Sequence, residues 1–199
     1  VKLVTRSFPL LRMIKSMLPL RYGDFEVVVS DQAGHKPGSA DNLRRFDRET
    51  CLSDDYYLSS HHAVVVSRDD EEIASRLLSS FGFSGIYDHS ALIHEDRLIL
   101  TVGNCLFALE IPTLNLVWKT QVDYGACFGV HLPPSRDCLI SHGEQEISRL
   151  DFDGQIEWQS SGADIFTGSF GIFENHIDAV DFNGWRYRID VKTGKTKVI

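Results

Sequence analysis

The sequence predicts a mainly β protein built from small antiparallel sheets that repeat along the chain, and three observations predict it. From about residue 86, short runs of strand-forming residues alternate with Gly, Asn, Pro and Asp turns, the pattern of consecutive hairpins. Matched positions then recur at a period near 40. Leu109, Leu150 and Ile189 are 41 and 39 apart, Trp118, Trp158 and Val198 are 40 and 40 apart, and Phe128-Gly129-Val130 matches Phe170-Gly171-Ile172 at 42. That period is the size of one four-stranded propeller blade. Finally, 199 residues that are 43% hydrophobic and 24% charged suffice for a packed core. Together these predict a partial β-propeller-like array of about three four-stranded antiparallel blades, at residues 89–121, 126–160 and 168–199, with a small α/β N-terminal portion.

The N-terminal elements follow in order. Residues 1–23 carry Lys2, Arg6, Arg12, Lys15 and Arg21 and no acid, whereas the rest holds 15 bases against 28 acids. Between Pro9 and Pro19, Leu10, Ile14 and Met17 fall at helical spacing, which predicts a short amphipathic helix docked on the body of the protein. A cleaved presequence and a membrane-surface helix are the competing readings. Phe25–Ser30 and His62–Ser67 read as strands by β-branched content. Residues 31–55 between them are polar and turn-rich, the composition of a long surface loop. Ser67-Arg-Asp-Asp70 has capping-box spacing, and Ile73, Leu77 and Leu78 supply an apolar face, which predicts a helix over 69–80 ending at Gly82.

Composition excludes several classes. A chain of this make-up is neither disordered, collagen-like nor a disulfide-rich miniprotein. No apolar run approaches the roughly 20 residues of a membrane span, so no integral membrane role is expected. A formal charge of −8 argues against nucleic acid as partner, because phosphate binding needs clustered Lys and Arg. Cys51, Cys105, Cys127 and Cys138 form no C-x-x-C pair and read as reduced thiols, so the expected compartment is the cytoplasm.

The repeat itself has the form A-L-[DE]-x-x-T-G-x-x-x-W. Its first copy carries Ala108, Leu109, Glu110, Thr113 and Trp118, with Leu114 in place of Gly. The second carries Leu150, Asp151, Gly154 and Trp158, and the third Ile189, Asp190, Thr193 and Gly194. Over residues 89–199 this resembles the repeat of the pyrroloquinoline-quinone-type, or tryptophan-docking, β-propellers. In such a blade Leu and Trp point into the gap between neighbouring sheets, while the acid and Gly build the tight turn between the third and fourth strands. The family's quinone enzymes use a complete ring and a vicinal disulfide. None of the four cysteines here are neighbours, and no cofactor is expected.

In an up-and-down blade the loops after the second and fourth strands emerge on one face. This gathers Asn104, Asp123, His142, Glu144, Asp164 and Asp181 on a single rim. Hard oxygen ligands suit Ca²⁺ or Mg²⁺, so the rim is the candidate ligand site, though Asp and Asn also sit in turns to cap local backbone donors. The eight histidines show no zinc spacing, and any metal is left unassigned. No nucleophile elbow, P-loop or dinucleotide motif occurs, so no catalytic residue is predicted. The expected function is a non-enzymatic protein-interaction module whose partner is another protein. The alternative is a ligand- or divalent-cation-binding protein or hydrolase that uses the acidic rim. Three blades leave open sheet edges, which the N-terminal half or a homodimer is expected to cover.

Overall fold

A computed structural model describes residues 15–36, 38–51 and 58–199. Seventeen strands form four sheets that follow one another along the chain. The first sheet contains β1 (Met17–Tyr22), β2 (Phe25–Asp31), β3 (Arg48–Cys51), β4 (Ser60–Arg68) and β5 (Glu71–Ser80), in the order β1-β2-β4-β5-β3. The second is β6 (Ala91–His94), β7 (Arg97–Val102), β8 (Cys105–Glu110) and β9 (Leu116–Gln121). The third is β10 (Cys127–His131), β11 (Leu139–Gly143), β12 (Glu146–Leu150) and β13 (Ile156–Ser161). The fourth is β14 (Phe170–Ile172), β15 (His176–Val180), β16 (Arg186–Asp190) and β17 (Thr196–Val198). Sheets 2 to 4 are plain antiparallel meanders.

Two expectations for the N-terminal half are corrected. The segment 69–80 is not a helix, and no helix occurs among the described residues. Asp69 and Asp70 adopt φ of 53° and 64°, the pair of positive values that a tight hairpin turn requires, and β5 runs back along β4. Leu77 and Leu78 are both fully buried on opposite faces of that strand. The second half of β5 is covered on both sides, which removes the in-out alternation that marks a half-exposed strand. The Pro9–Pro19 stretch likewise ends in strand, not helix, since Met17, Leu18 and Pro19 belong to β1; its residues before 15 lie outside the described ones.

The N-terminal portion is therefore a fourth blade. Strands β1-β2-β4-β5 make the same antiparallel meander as the later sheets, interrupted by the long excursion between β2 and β4. That excursion returns as β3, which pairs parallel to the outer edge of β5. Asp47 accepts the Ser75 backbone N–H (2.7 Å) and hydroxyl (3.0 Å), and Arg44 pairs with Glu72, so the excursion is fastened over the outer face of sheet 1.

Three apolar clusters join the sheets pairwise. Val27, Val29, Val64, Val66 and Leu78 pack against Leu98, Leu100, Phe107 and Leu109 between sheets 1 and 2. Ile99, Leu106 and Ala108 meet Leu139 and Leu150 between sheets 2 and 3. Ile140 and Ile147 meet Ile177, Tyr187 and Ile189 between sheets 3 and 4. The repeat residues Leu109, Leu150 and Ile189 are each fully buried in one of these gaps.

The two tryptophans dock as the repeat predicts. The Trp118 indole N–H donates to the Phe152 carbonyl (2.9 Å) in the turn between β12 and β13, and Trp158 donates to Val191 (3.0 Å) in the turn between β16 and β17. Gly154 and Gly194 lie under the rings. A Cβ at Gly154 would fall 2.6 Å from Trp118 Cδ2, and one at Gly194 2.8 Å from Trp158 Cδ2. The turn acids act as expected: Asp151 Oδ1 accepts the N–H groups of Asp153 (3.0 Å) and Gln155 (2.8 Å), and Asp190 Oδ1 those of Lys192 (3.1 Å) and Thr193 (2.8 Å). The joint between sheets 1 and 2 is built differently. Ala74 stands beside the bulge of β4–β5 where Trp118 and Trp158 stand beside the bulges of their own sheets. Leu114 replaces the glycine, at φ 55° and 1% exposed, in the same apolar cluster as Ala74. A side chain on the turn thus takes the place of an indole on the strand.

The face of sheet 4 turned away from sheet 3 is polar. Across the strands, the facing row reads Ile99, Ala108, Trp118 in sheet 2 and Ile140, Arg149, Trp158 in sheet 3. In sheet 4 it reads Asp178, Arg188, Lys197. Arg188 grips Asp178 through Nε–Oδ1 and Nη2–Oδ2 contacts of 2.8 Å each. A face of this kind does not need an apolar cover, and a homodimer sealing it is not supported.

Candidate functional site

The loops after the second and fourth strands of each blade interlock at one end of the sheets, here called the connector face. The turn between β7 and β8 is bonded on both sides: Asn104 N–H donates to the Phe81 carbonyl (2.7 Å), and its own carbonyl accepts from Val122 (3.0 Å) and Asp123 (3.2 Å). One blade on, Glu144 N–H donates to Ala126 (2.7 Å) and its carbonyl accepts from Phe166 (2.6 Å). In sheet 4, Phe182 N–H donates to Ile165 (2.8 Å). Connector and turn therefore alternate in a continuous hydrogen-bonded ribbon from Phe81 to Trp185.

The six rim residues lie along this ribbon, and most of their polar capacity is spent within it. Asp123 is 3% exposed; its Oδ2 accepts the Gln145 and Glu146 N–H groups (2.8 Å each) and its Oδ1 that of Gly125 (2.6 Å). Asp181 is 2% exposed and accepts the Trp185 N–H (2.9 Å) and the Tyr187 hydroxyl (2.7 Å). Asp164 accepts from Ile165 N–H (2.8 Å) and the Asn183 amide (2.7 Å). Asn104 Oδ1 accepts from Ser80 (3.2 Å) and Cys105 (3.2 Å). His142 lies beneath the face, stacked on Phe170 at 3.9 Å between ring centres and edge-on to Phe128 at 5.7 Å. Glu144 is half-buried, with its Oε2 above Gly125. Nearby, burial pushes the Glu146 carboxyl up, the Ser161 hydroxyl pulls it back and Asp123 adds to the rise. Among the described residues no group of three or more His, Cys, Asp or Glu side chains is arranged to hold a metal. The carboxylates share a face, but each serves its own turn.

The residues that distinguish this face are aromatic, and the sequence reading passed over them. Phe81 (52% exposed), Phe83 (73%), Tyr124 (71%), Phe182 (72%) and Trp185 (56%) all stand on connector-face loops. Of the exposed aromatic side chains among the described residues only Phe173, stacked on His176, lies elsewhere. Gly82 lets the first of these loops abut the next connector. It adopts φ +87°, and a Cβ there would sit 1.9 Å from the Gly125 carbonyl, so only glycine lets the chain between Phe81 and Phe83 pass this close to the 122–126 connector. The available signal was adjacency, since Tyr124 follows Asp123 and Phe182 follows Asp181.

The structure also bears on the quinone that the repeat resemblance implies. Cys105, Cys127 and Cys138 are buried, and burial pushes the Cys138 thiol up to about 12. Two grooves, of about 350 and 330 Å³, are lined by polar turn and edge residues of sheets 1 and 4 and lie away from the connector face. Neither groove is lined by a cysteine, and no two cysteines of the chain are neighbours that could form the vicinal disulfide of the family's quinone enzymes.

Stacked four-stranded sheets locked by tryptophans that dock on the next blade define a β-propeller-like repeat protein. Comparison with solved structures agrees. BamB from Moraxella catarrhalis matches with a TM-score of 0.53 at 16% identity, covering 94% of this chain and 62% of that one. The chain thus spans less than two thirds of BamB, itself a β-propeller repeat protein. The computationally designed Ika4 protein matches at a TM-score of 0.45 and 12% identity, over 54% of this chain and 68% of that one. No family model and no curated protein matches the sequence. No helix among the described residues is long and apolar enough to cross a membrane.

Proposed function

We propose that the chain is a propeller-type protein-interaction module that binds through its connector face. The observation that carries this reading is the gathering of Phe81, Phe83, Tyr124, Phe182 and Trp185, all more than half exposed, on one end of a rigid stack. Aromatic side chains supply large contact area at low entropic cost and are enriched at protein interfaces, whereas scattered single apolar residues need no such explanation. The propeller-like fold is compatible with this role without dictating it. The thiols of Cys51, Cys105 and Cys138 support a reducing compartment such as the cytoplasm as the place of action.

The test compares affinity capture by the tagged chain and by its Phe83→Ser/Tyr124→Ser/Trp185→Ser variant, at low and high salt. These side chains are exposed, so melting by circular dichroism is expected to stay within a few degrees. The expected outcome is a protein enriched by the parent chain and lost from the variant. Equal capture by both refutes the reading.

A further inference from the structure

We infer that His62 is an acid-sensitive latch beneath the connector face: when the medium acidifies, the 81–84 loop that carries Phe81 and Phe83 loosens. As a regulation of the binding face, this rests on the proposed function. The loop is held from below by two side chains of β4. Ser60 Oγ donates to the Gly82 carbonyl (2.7 Å) and accepts the Ser84 N–H (2.8 Å). His62, two residues on and so on the same face of the strand, is fully buried, with Nε2 3.1 Å from the Ser84 carbonyl and Nδ1 3.0 Å from the Thr101 carbonyl of β7. Ser84 Oγ in turn accepts the Gly103 N–H (2.7 Å), so the latch reaches the turn between β7 and β8.

The chemistry of the ring makes this hold conditional. Both nitrogens face acceptors, and a neutral imidazole carries a single N–H, so it serves one carbonyl and turns a lone pair to the other. A second proton would serve both, at the cost of a buried charge whose hydrogen-bond partners are carbonyls and not a carboxylate. Around the ring, Asp31 on β2 favours the charge and His61 on β4 opposes it. Cys105 is the titratable side chain of sheet 2 in the apolar cluster of that gap. Lys15 and Asp88 pair with each other, and residues 78–80, 82–86 and 98–102 carry no titratable side chain. Burial outweighs the pull of both carbonyls. The charged ring is therefore relieved by water, and the thinnest part of its cover is the 82–84 segment, flanked by Phe81 and Phe83 at 52% and 73% exposure. Thr101, fully buried within β7, stays in place.

The experiment is amide hydrogen exchange of the whole chain at about pH 7.5 and about pH 5.5, corrected for intrinsic rates, with the Phe182 N–H of the sheet 4 connector as reference. An imidazole of ordinary affinity, freed by opening, is about ten-elevenths protonated at the lower pH, which favours the open loop by about tenfold. Protection at Ser84 and Gly103 is expected to fall about tenfold relative to Phe182 on acidification, and to hold in His62→Gln, whose amide donates without titrating. Heteronuclear NMR of the imidazole nitrogens in the parent chain is expected to show one protonated and one bare nitrogen in His62 at about pH 7.5, a readout that serves if His62→Gln fails to fold. Protection that is unchanged or rises in acid, an imidazolium at the higher pH, or an equal loss in His62→Gln overturns the inference. If protection falls as expected while capture of a protein does not depend on Phe83, Tyr124 and Trp185, the latch stands and the interaction reading falls. If capture depends on the aromatics while protection holds in acid, the latch falls and the interaction module stands.

Discussion

Replacing Gly154 by Ala places a methyl group under the Trp118 ring, and the outcome can be worked from two local terms. Gly154 adopts φ +80°, where an L-residue pays about 1–2 kcal/mol. The new Cβ would also lie 2.6 Å from Cδ2 and 2.7 Å from Cε3 of the indole, and relieving such an overlap costs about 1–3 kcal/mol more. Trp118→Ala removes a half-buried indole together with its hydrogen bond to Phe152, at about 3 kcal/mol, the low end for a core aromatic. In the double variant nothing remains above Gly154 for the methyl to strike, so only the backbone term persists. The double variant is therefore expected to be more stable than the sum of the singles by about 1–3 kcal/mol. Gly184→Ala is the control: φ is +85° and nothing lies within 4 Å of the added carbon, so only the 1–2 kcal/mol backbone cost is expected. Urea denaturation followed by far-UV circular dichroism reads all four variants without relying on tryptophan fluorescence. Additivity within about 0.5 kcal/mol, or a Gly184→Ala cost equal to that of Gly154→Ala, refutes the docking argument.

Two further outcomes follow from buried polar groups. Asp123→Ala strips the acceptor from three backbone N–H groups and is expected to cost about 3 kcal/mol, with loss of amide-exchange protection at Gln145 and Glu146; Asp123→Asn should cost less, and unprotected amides in the parent chain would contradict the assignment. Burial holds the His62 imidazole below its ordinary range, against the pull of the Ser84 and Thr101 carbonyls. Because the native value lies below the unfolded one, the unfolded chain gains its proton first as the pH falls. The stability contributed is thus present above about pH 6.5 and is lost as the pH drops toward the native value. The urea midpoint should fall between about pH 7.5 and about pH 5, and less steeply in His62→Gln; an identical slope in the two proteins counts against the mechanism.

How far the fold could be read from residues alone depended on whether each blade kept the repeat's spacing. Sheets 2 to 4 were legible because turn length is nearly constant, so Leu109, Leu150 and Ile189 and the docking tryptophans stay near a 40-residue period. Sheet 1 was not. The excursion between Asp31 and Ser60 breaks the period, Ala74 stands where a tryptophan would announce the blade, and the Asp69-Asp70 turn lacks the glycine that marks most such hairpins. Burial of Leu77 and Leu78 on opposite faces, together with an exposed Ile73, then imitated a helical stripe. The rim residues were legible as a group, since strand alternation and loop parity bring Asn104, Asp123, Glu144, Asp164 and Asp181 to one end. Their employment was not, because whether a carboxylate faces solvent or its neighbour's backbone depends on how adjacent blades abut. The exposed aromatics were missed for the same reason: a Phe beside a turn looks like core until the packing shows that it points away.

The joint between the first and second sheets has a consequence for how copies of this chain can be confused with one another. A Trp118 that strays onto the 111–115 turn of another molecule finds Leu114 already occupying the berth, while Ala74 brought over Gly154 leaves it empty. The first joint is therefore keyed differently from the two tryptophan joints, which share one key. Exchange of repeats between crowded chains, the characteristic accident of tandem architectures, is thereby penalised at the first joint rather than at the last.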